Sequence, residues 1–215
     1  WYATVTGRSA RDRRLLLLTG MAAGLSAIFR SPIGTAIMAI EVLYGDMEFE
    51  ASALLYTLLA SIVAYALNGF VSGWDPLFRV PSDIGQLGSR LAYGWFVVLG
   101  VAAGVVGTVF PATFYWVRDQ FRRLPGPLWI RPAIGGLLTG LLALALPQIL
   151  GGGYGWVQEA IDGRLVGSIF LLLMGAKILA TSFTVASGGS GGVFAPSLYI
   201  GAMLGGICAS VSGQH

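Results

Sequence analysis

The segment SGGSGGVFAP, residues 187–196, follows an apolar stretch at residues 165–186 and leads into another at residues 193–211. A run of glycine and serine predicts a turn, and the apolar run after it predicts a helix. Pro196 would lie in the first turn of that helix, where its missing N–H costs little. Non-helical backbone at membrane depth is tolerated only where it is buried in protein or lines a watery cavity. The segment is therefore predicted to be a structured turn between two membrane helices.

The start of the predicted helix is a candidate anion site. The first N–H groups of a helix have no acceptor within the helix, and they carry the positive end of its dipole. Glycines at positions 191 and 192 let an ion approach the backbone without side-chain obstruction. Backbone dipoles hold an anion less tightly than a lysine does, which suits conduction. The alternative for the same run is a glycine hinge between packed helices.

The composition indicates an all-α, polytopic membrane protein. The chain is 55% hydrophobic and 11% charged, whereas soluble domains carry roughly 25% charge. Residues 51–74 and 91–117 are uncharged and long enough to span a bilayer. Residues 15–29 and 33–40 are each too short, and Pro32 separates them, so they predict two half-helices that meet inside the membrane. Pro147 and the glycines at 151–153 are predicted to break a later apolar stretch.

Two basic segments, residues 8–14 and 118–131, hold eight of the 13 arginines and lysines. They are predicted to be loops, and the positive-inside rule places both on the cytoplasmic side. A nucleic-acid partner is not expected, because the basic residues form short clusters between apolar runs and no nucleic-acid-binding motif is present. Four Gly-xxx-Gly spacings, which begin at glycines 20, 100, 136 and 201, predict close helix packing.

The sequence offers no candidate catalytic or metal centre. Cys208 and His215 are each the only residue of their type, so neither a disulfide within the chain nor a metal site is predicted. Motifs for metalloproteases, serine hydrolases and nucleotide phosphates are missing, and no cofactor is expected. The remote alternative is an intramembrane enzyme whose glycine turn binds a substrate phosphate. Because the chain begins with Trp1 and ends just after an apolar run, we expect an internal fragment of a longer protein.

Two motifs resemble the CLC family of chloride channels and transporters. Residues 187–202, SGGSGGVFAPSLYIGA, are similar to the family signature GSGxSGGxFxPxLxxGA, with Ala186 in place of its first glycine. Residues 20–34, GMAAGLSAIFRSPIG, are similar to the family stretch GxAAGxxAAFxAPxxG. The resemblance spans essentially the whole chain. It implies an inverted repeat of tilted and broken helices, of which residues 1–215 would be a partial transmembrane domain without a CBS domain.

The resemblance also implies a site and partners. The backbone N–H groups of Val193 and Phe194 would bind the central anion, chloride or a similar small anion. The supporting anion loop would be Ser190, Gly191, Gly192, Ala195 and Pro196. The protein would sit in a lipid bilayer as a homodimer, with helices at residues 33–43 and 51–70 in the interface. The serine loop, the gating glutamate and the tyrosine of the family site would lie outside this chain.

Residues 40–42, IEV, bear on the mode of transport. Family exchangers usually carry a second glutamate after this Ile-Glu pair, and that position is Val42, which cannot carry a proton. This favours passive chloride transport by a voltage-gated-type channel over the alternative, a proton-coupled antiporter. Glu41 is predicted to cap neighbouring helix N-termini, with proton relay as its alternative role. Arg30 and Lys177 are predicted to reach a helix C-terminus, a carboxylate or an aqueous vestibule.

Overall fold

The computed structural model describes residues 5–44, 51–80, 90–165 and 167–212, and this part of the chain contains helices and no strand. Within it, the helices long and apolar enough to cross a membrane are Ser52–Ser72, Tyr93–Arg123, Ile169–Ala186 and Phe194–Ser212. The predicted all-α, polytopic membrane fold is therefore confirmed. The chain divides into two compact units, Trp1–Phe78 and Arg79–His215.

The first unit contains helices α1 (Ala10–Phe29), α2 (Pro32–Tyr44) and α3 (Ala51–Ser72). The predicted break before Pro32 is confirmed. Arg30 ends α1 in the left-handed region at φ 52°, and Pro32 opens α2, because proline suits the first position of a helix. Helix α2 continues to residue 44, and residues 45–50 lie outside the described part.

Helices α1 and α3 pack through small side chains. Ala22 and Ser26 of α1 are fully buried. The Ser26 hydroxyl donates to the carbonyl of Ser61 at 2.7 Å, and the Asn68 amide donates to the carbonyl of Ala27 at 2.9 Å. Both bonds run from one helix to the other. They give hydrogen-bond partners to polar groups in the interface that apolar packing alone would leave unpaired.

The second unit contains α4 (Arg90–Arg123), α5 (Ile130–Ala145), a 3₁₀ turn (Pro147–Ile149), α6 (Tyr154–Ile161), α7 (Ile169–Ala186) and α8 (Phe194–Ser212). The predicted breaks at Pro147 and at glycines 151–153 are confirmed, because the 3₁₀ turn and a following turn separate α5 from α6. Helix α7 packs against α4, α5 and α8. It is the most buried candidate span among the described residues, so it forms the centre of this unit.

The prediction that the two basic segments are loops is wrong for most of their length. Residues 10–14 belong to α1, and residues 118–123 belong to α4. Arginine is a good helix former, and the Ser9 side chain accepts a hydrogen bond from the N–H of Asp12 at 3.1 Å as an N-cap. No proline lies between Arg118 and Leu124. The basic residues therefore occupy helix ends, with a short connection at residues 124–129.

The Gly-xxx-Gly spacings do not mark packed faces in the described structure. A Cβ at any of their eight glycines would meet no other group within 4 Å. The glycines in close contact lie elsewhere. A Cβ on Gly135 would lie 2.3 Å from the carbonyl oxygen of Phe183, and one on Gly206 would lie 2.3 Å from the Phe170 ring. Gly135 and Gly206 are sequence neighbours of Gly136 and Gly205, so the close contacts fall one residue away from the Gly-xxx-Gly positions.

Candidate functional site

The turn between α7 and α8 begins with a Schellman motif. Gly188 has a φ of 97°, and its N–H donates to the carbonyl of Val185 at 3.1 Å. The N–H of Gly189 donates to the carbonyl of Thr184 at 3.0 Å. These two bonds satisfy carbonyls that the helix end leaves free, and glycine alone adopts the required left-handed conformation without strain. A Cβ on Gly189 would lie 2.5 Å from the Thr184 oxygen, so this position also requires glycine.

Helix α8 begins at Phe194, directly after the turn. The carbonyl of Val193 accepts hydrogen bonds from the N–H of Ser197 at 3.0 Å and from its hydroxyl at 2.7 Å. Val193 is therefore the residue at which the helical hydrogen bonding starts. Pro196 lies in the first turn, as the sequence predicts. The positive end of the α8 dipole falls on the predicted anion-binding residues.

The predicted anion loop is accessible in this chain. Its members from position 190 to position 193 are exposed, and Val193 is 46% exposed. Phe194, Ala195 and Pro196 are half-buried. A Cβ on Gly192 would meet no group within 4 Å. The seven predicted residues are consecutive in the chain, and the first four of them are exposed.

Helix α5 supports the end of α7 that precedes the loop. Gly135 lies so close to α7 that its Cβ would fall 2.3 Å from the Ser187 hydroxyl. The hydroxyls of Thr139 and Thr184 are 3.0 Å apart and share a hydrogen bond. Ser187 is buried, and its hydroxyl donates to the carbonyl of Thr184 at 3.0 Å. The start of the loop is therefore fixed by contacts that leave no room for a side chain at position 135.

Lys177 is buried in α7 and binds carbonyl oxygens. Its ammonium donates to the carbonyls of Ile149 and Gly151, each at 2.7 Å, and lies 5.0 Å from the centre of the Tyr199 ring. The two carbonyls belong to the 3₁₀ turn and to the turn that follows it. Of the three targets predicted for Lys177, a helix C-terminus, a carboxylate and an aqueous vestibule, the contact with Ile149 at the end of the 3₁₀ turn matches the first.

Tyr199 and Gly153 form a contact that the sequence analysis missed. The Tyr199 side chain, in the second turn of α8, is fully buried. Gly153 has a φ of 73°, and its Cβ would lie 2.4 Å from the tyrosine ring. Together with Lys177, this contact fixes the start of α8 against the turn at residues 150–153. The sequence feature that could have indicated this contact is the run of three glycines at residues 151–153, because a ring can pack directly on glycine backbone.

The first unit holds Arg30, Glu41 and Val42. The Arg30 guanidinium donates to the carbonyl of Ser72 at 3.2 Å and to the carbonyl of Asp75. It therefore reaches the C-terminus of α3, as predicted. Glu41 and Val42 are exposed near the end of α2. Among the described residues no hydrogen bond or ion pair involves Glu41, so its predicted capping role is not seen there, and its place in a proton path stays a prediction.

No group of three or more metal-binding side chains occurs among the residues that the structure describes. The candidate site is therefore built from backbone, from the helix dipole and from the contacts that hold them. Backbone donors and the positive end of a helix dipole are features that suit an anion.

Comparison of the sequence with known proteins identifies the family of the chain. The sequence model described as "Voltage gated chloride channel" matches residues 2–215. The chain is 30% identical over 204 residues to the uncharacterized protein MJ0305 of Methanocaldococcus jannaschii, covering 95% of this chain and 51% of that protein. It is 32% identical over 204 residues to the H(+)/Cl(-) exchange transporter ClcA of Yersinia pestis, covering 92% of this chain and 42% of that protein.

The ClcA of Salmonella agona is 31% identical over 205 residues, covering 92% of this chain and 42% of that protein. The chain thus spans about half the length of the curated relatives it matches. The family match covers nearly every residue, including both predicted motifs and the turn between α7 and α8. The chain belongs to the CLC family of membrane transport proteins, the voltage gated chloride channel family.

Proposed function

We propose that this chain supplies one backbone wall of the anion site in a proton-coupled chloride exchange transporter. The observation that carries the proposal is the exposure of residues 190–193, directly before the N-terminus of α8. The relatives from Yersinia and Salmonella are named H(+)/Cl(-) exchange transporters. These names favour the antiporter alternative over the channel that the sequence analysis preferred.

The geometry supports weak, reversible anion binding. The N–H groups at a helix N-terminus offer partial positive charge to a dehydrated anion. A full positive charge would hold the ion more tightly and slow its release. The nearest intramembrane cation in sequence, Lys177, is occupied by the carbonyls of Ile149 and Gly151. The proposed site therefore uses dipoles and glycine access, with Val193 and Phe194 as its ligands.

A passive chloride channel is the second candidate, and Val42 favours it. An exchanger must carry a proton across the membrane, and valine cannot accept one. Glu41, the neighbouring residue, is exposed at the end of α2 and is the acid in this part of the chain that could take the role. The exchange proposal therefore assigns the proton to Glu41 or to acids outside this chain.

The experiment is a flux measurement on the intact protein in liposomes. A chloride gradient should drive protons against their own gradient, in a fixed ratio to chloride. Chloride flux without proton movement would establish the channel instead. If no anion crosses the membrane in liposomes that contain folded protein, both candidates fail.

We also propose that α2 and α3 contribute to a homodimer interface. Exposed apolar side chains recur along one side of α3, at Leu55, Leu59 and Ile62, and Val63 adjoins them. Spacings of three and four residues place them on one face of a helix. A Leu59→Arg change should weaken the dimer, as measured by the mass of the detergent-solubilised protein. An unchanged dimer would place the interface elsewhere.

A further inference from the structure

The segment at residues 115–131 joins the end of α4 to the start of α5, and we call it the basic–aromatic edge. We propose that this edge binds the headgroup of an anionic phospholipid. The proposal does not depend on the mode of transport.

The basic–aromatic edge carries a local excess of positive charge. It holds four of the 13 basic residues and one of the 10 acidic residues, so the other nine bases and nine acids balance. The single acid, Asp119, lies 3.5 Å from the Arg118 guanidinium. A local excess of positive charge at a membrane surface attracts anionic lipids.

Two of the four arginines maintain the edge. Arg131 donates to the carbonyls of Arg122 at 3.3 Å and Leu124 at 3.4 Å, and it thereby caps the C-terminus of α4. The Arg118 guanidinium lies over the Tyr115 ring, 4.5 Å from its centre.

The other two arginines are available to a ligand. Arg122 and Arg123 are exposed, and across the described residues neither guanidinium makes a hydrogen bond or an ion pair. A guanidinium presents its donors in a planar fork that matches phosphate oxygens. Adjacent exposed arginines at the last turn of a membrane helix therefore suit a phosphate-bearing headgroup.

Exposed apolar side chains surround the same edge. Trp116, Leu128 and Trp129 are 63%, 76% and 72% exposed. Tryptophan favours the boundary between headgroups and hydrocarbon, where its ring is apolar and its N–H is satisfied. Free phosphate has no apolar part that could pack against these side chains. A phospholipid carries both the charge and the acyl chains, so it is the ligand that fits the whole edge.

The length of α4 places the edge at the right depth. The candidate span Tyr93–Arg123 has 31 residues, which corresponds to roughly 46 Å of helix. The hydrocarbon layer of a bilayer is about 30 Å thick. The helix is therefore longer than the hydrocarbon layer, and the proposal places its charged last turn, with the arginines at positions 122 and 123, at headgroup level.

The test uses the intact protein in detergent, titrated with phosphatidylglycerol and followed by native mass spectrometry. Phosphatidylcholine is the zwitterionic comparison. The test variant is Arg122→Gln/Arg123→Gln. The matched control is Arg8→Gln/Arg14→Gln, which removes the same charge from the start of the chain, where both residues are also exposed. Thermal unfolding midpoints establish that both variants are folded.

Wild type and control should bind phosphatidylglycerol equally and more tightly than phosphatidylcholine. The Arg122/Arg123 variant should bind it at least about tenfold more weakly. Trp129→Ala should also weaken binding. Equal affinity in both double variants would overturn the proposal, as would equal affinity of wild type for the two lipids. Displacement of the lipid by inorganic phosphate at equal concentration would assign the edge to free phosphate instead. If the double glutamine variant fails to fold, Arg122→Lys/Arg123→Lys replaces it, and unchanged affinity there contradicts recognition by the guanidinium fork.

Discussion

At the scale of single residues, Lys177 joins three parts of the second unit. Its ammonium binds two carbonyls beyond α5 and lies over a ring of α8, while its own backbone belongs to α7. A buried charge is costly unless it is hydrogen-bonded. The two short bonds offset that cost, and in return Lys177 ties the turn at residues 150–153 to the helix that carries the anion loop.

Replacement of Lys177 by methionine should lower the free energy of unfolding by about 2–3 kcal/mol, because the carbonyls of Ile149 and Gly151 lose their donor. Denaturant titration of the purified protein in detergent measures the change. The control is Arg164→Met, which removes exposed ion pairs to Glu159 and Asp162 and should cost less than about 1 kcal/mol. Equal losses in the two variants would mean that the buried bonds contribute little.

Gly153→Ala should be destabilising by about 1–3 kcal/mol, because φ is positive and the new methyl would press into the Tyr199 ring. The same titration provides the measurement. Gly136→Ala is the matched control, since its helix position is open and alanine is the better helix former. A tolerated Gly153→Ala would refute the proposed rigid contact with Tyr199.

Glu41→Gln tests the proton assignment within this chain. If Glu41 carries the proton, glutamine should abolish proton movement in the liposome assay while chloride flux persists. Glu159→Gln, at another charged position, should leave both fluxes unchanged. Full proton coupling in the Glu41 variant would assign the proton path to other residues, without affecting the exchange proposal.

At the scale of elements, hydrogen bonds fix both ends of the loop that joins α7 to α8. The Schellman motif at Gly188 and Gly189 turns the chain, and the Val193 carbonyl opens the next helix. Between them lie the exposed glycines at 191 and 192. The two ends are therefore fixed by hydrogen bonds, whereas the middle leaves backbone open to a ligand.

Gly192→Leu should reduce chloride transport at least about tenfold, equivalent to about 1.4 kcal/mol, by blocking approach to the backbone. Stability should change little, because a Cβ there meets no group within 4 Å. Gly201→Leu, at an equally open position of α8, is the control. Unchanged transport and anion selectivity in the Gly192 variant would remove the loop from the permeation path.

The sequence predicted those elements whose boundaries depend on local chemistry. Pro32, Pro147 and the glycine run after α7 break helices because of their own backbone restrictions. The predicted start of α1 and the predicted end of α4 are wrong, because loops were expected at the arginine clusters although arginine favours helix. The packed glycines and the partners of Lys177 could not be predicted, because both depend on which helices meet.

At the scale of the whole molecule, family membership and candidate spans are established for a chain that matches about half the length of its relatives. Exchange, dimer formation and the cytoplasmic placement of the basic segments are proposals about the whole protein. The exchange proposal rests on one premise, which is that the loop before α8 meets the transported anion.

The most direct test of that premise is a crystal structure of the intact protein in bromide, with the ion located by anomalous scattering. The account predicts a bromide peak within hydrogen-bonding distance of the backbone nitrogens of Val193 and Phe194, beside Gly192. Bromide peaks confined to other parts of a transport-competent protein, with none along residues 190–196, would contradict it.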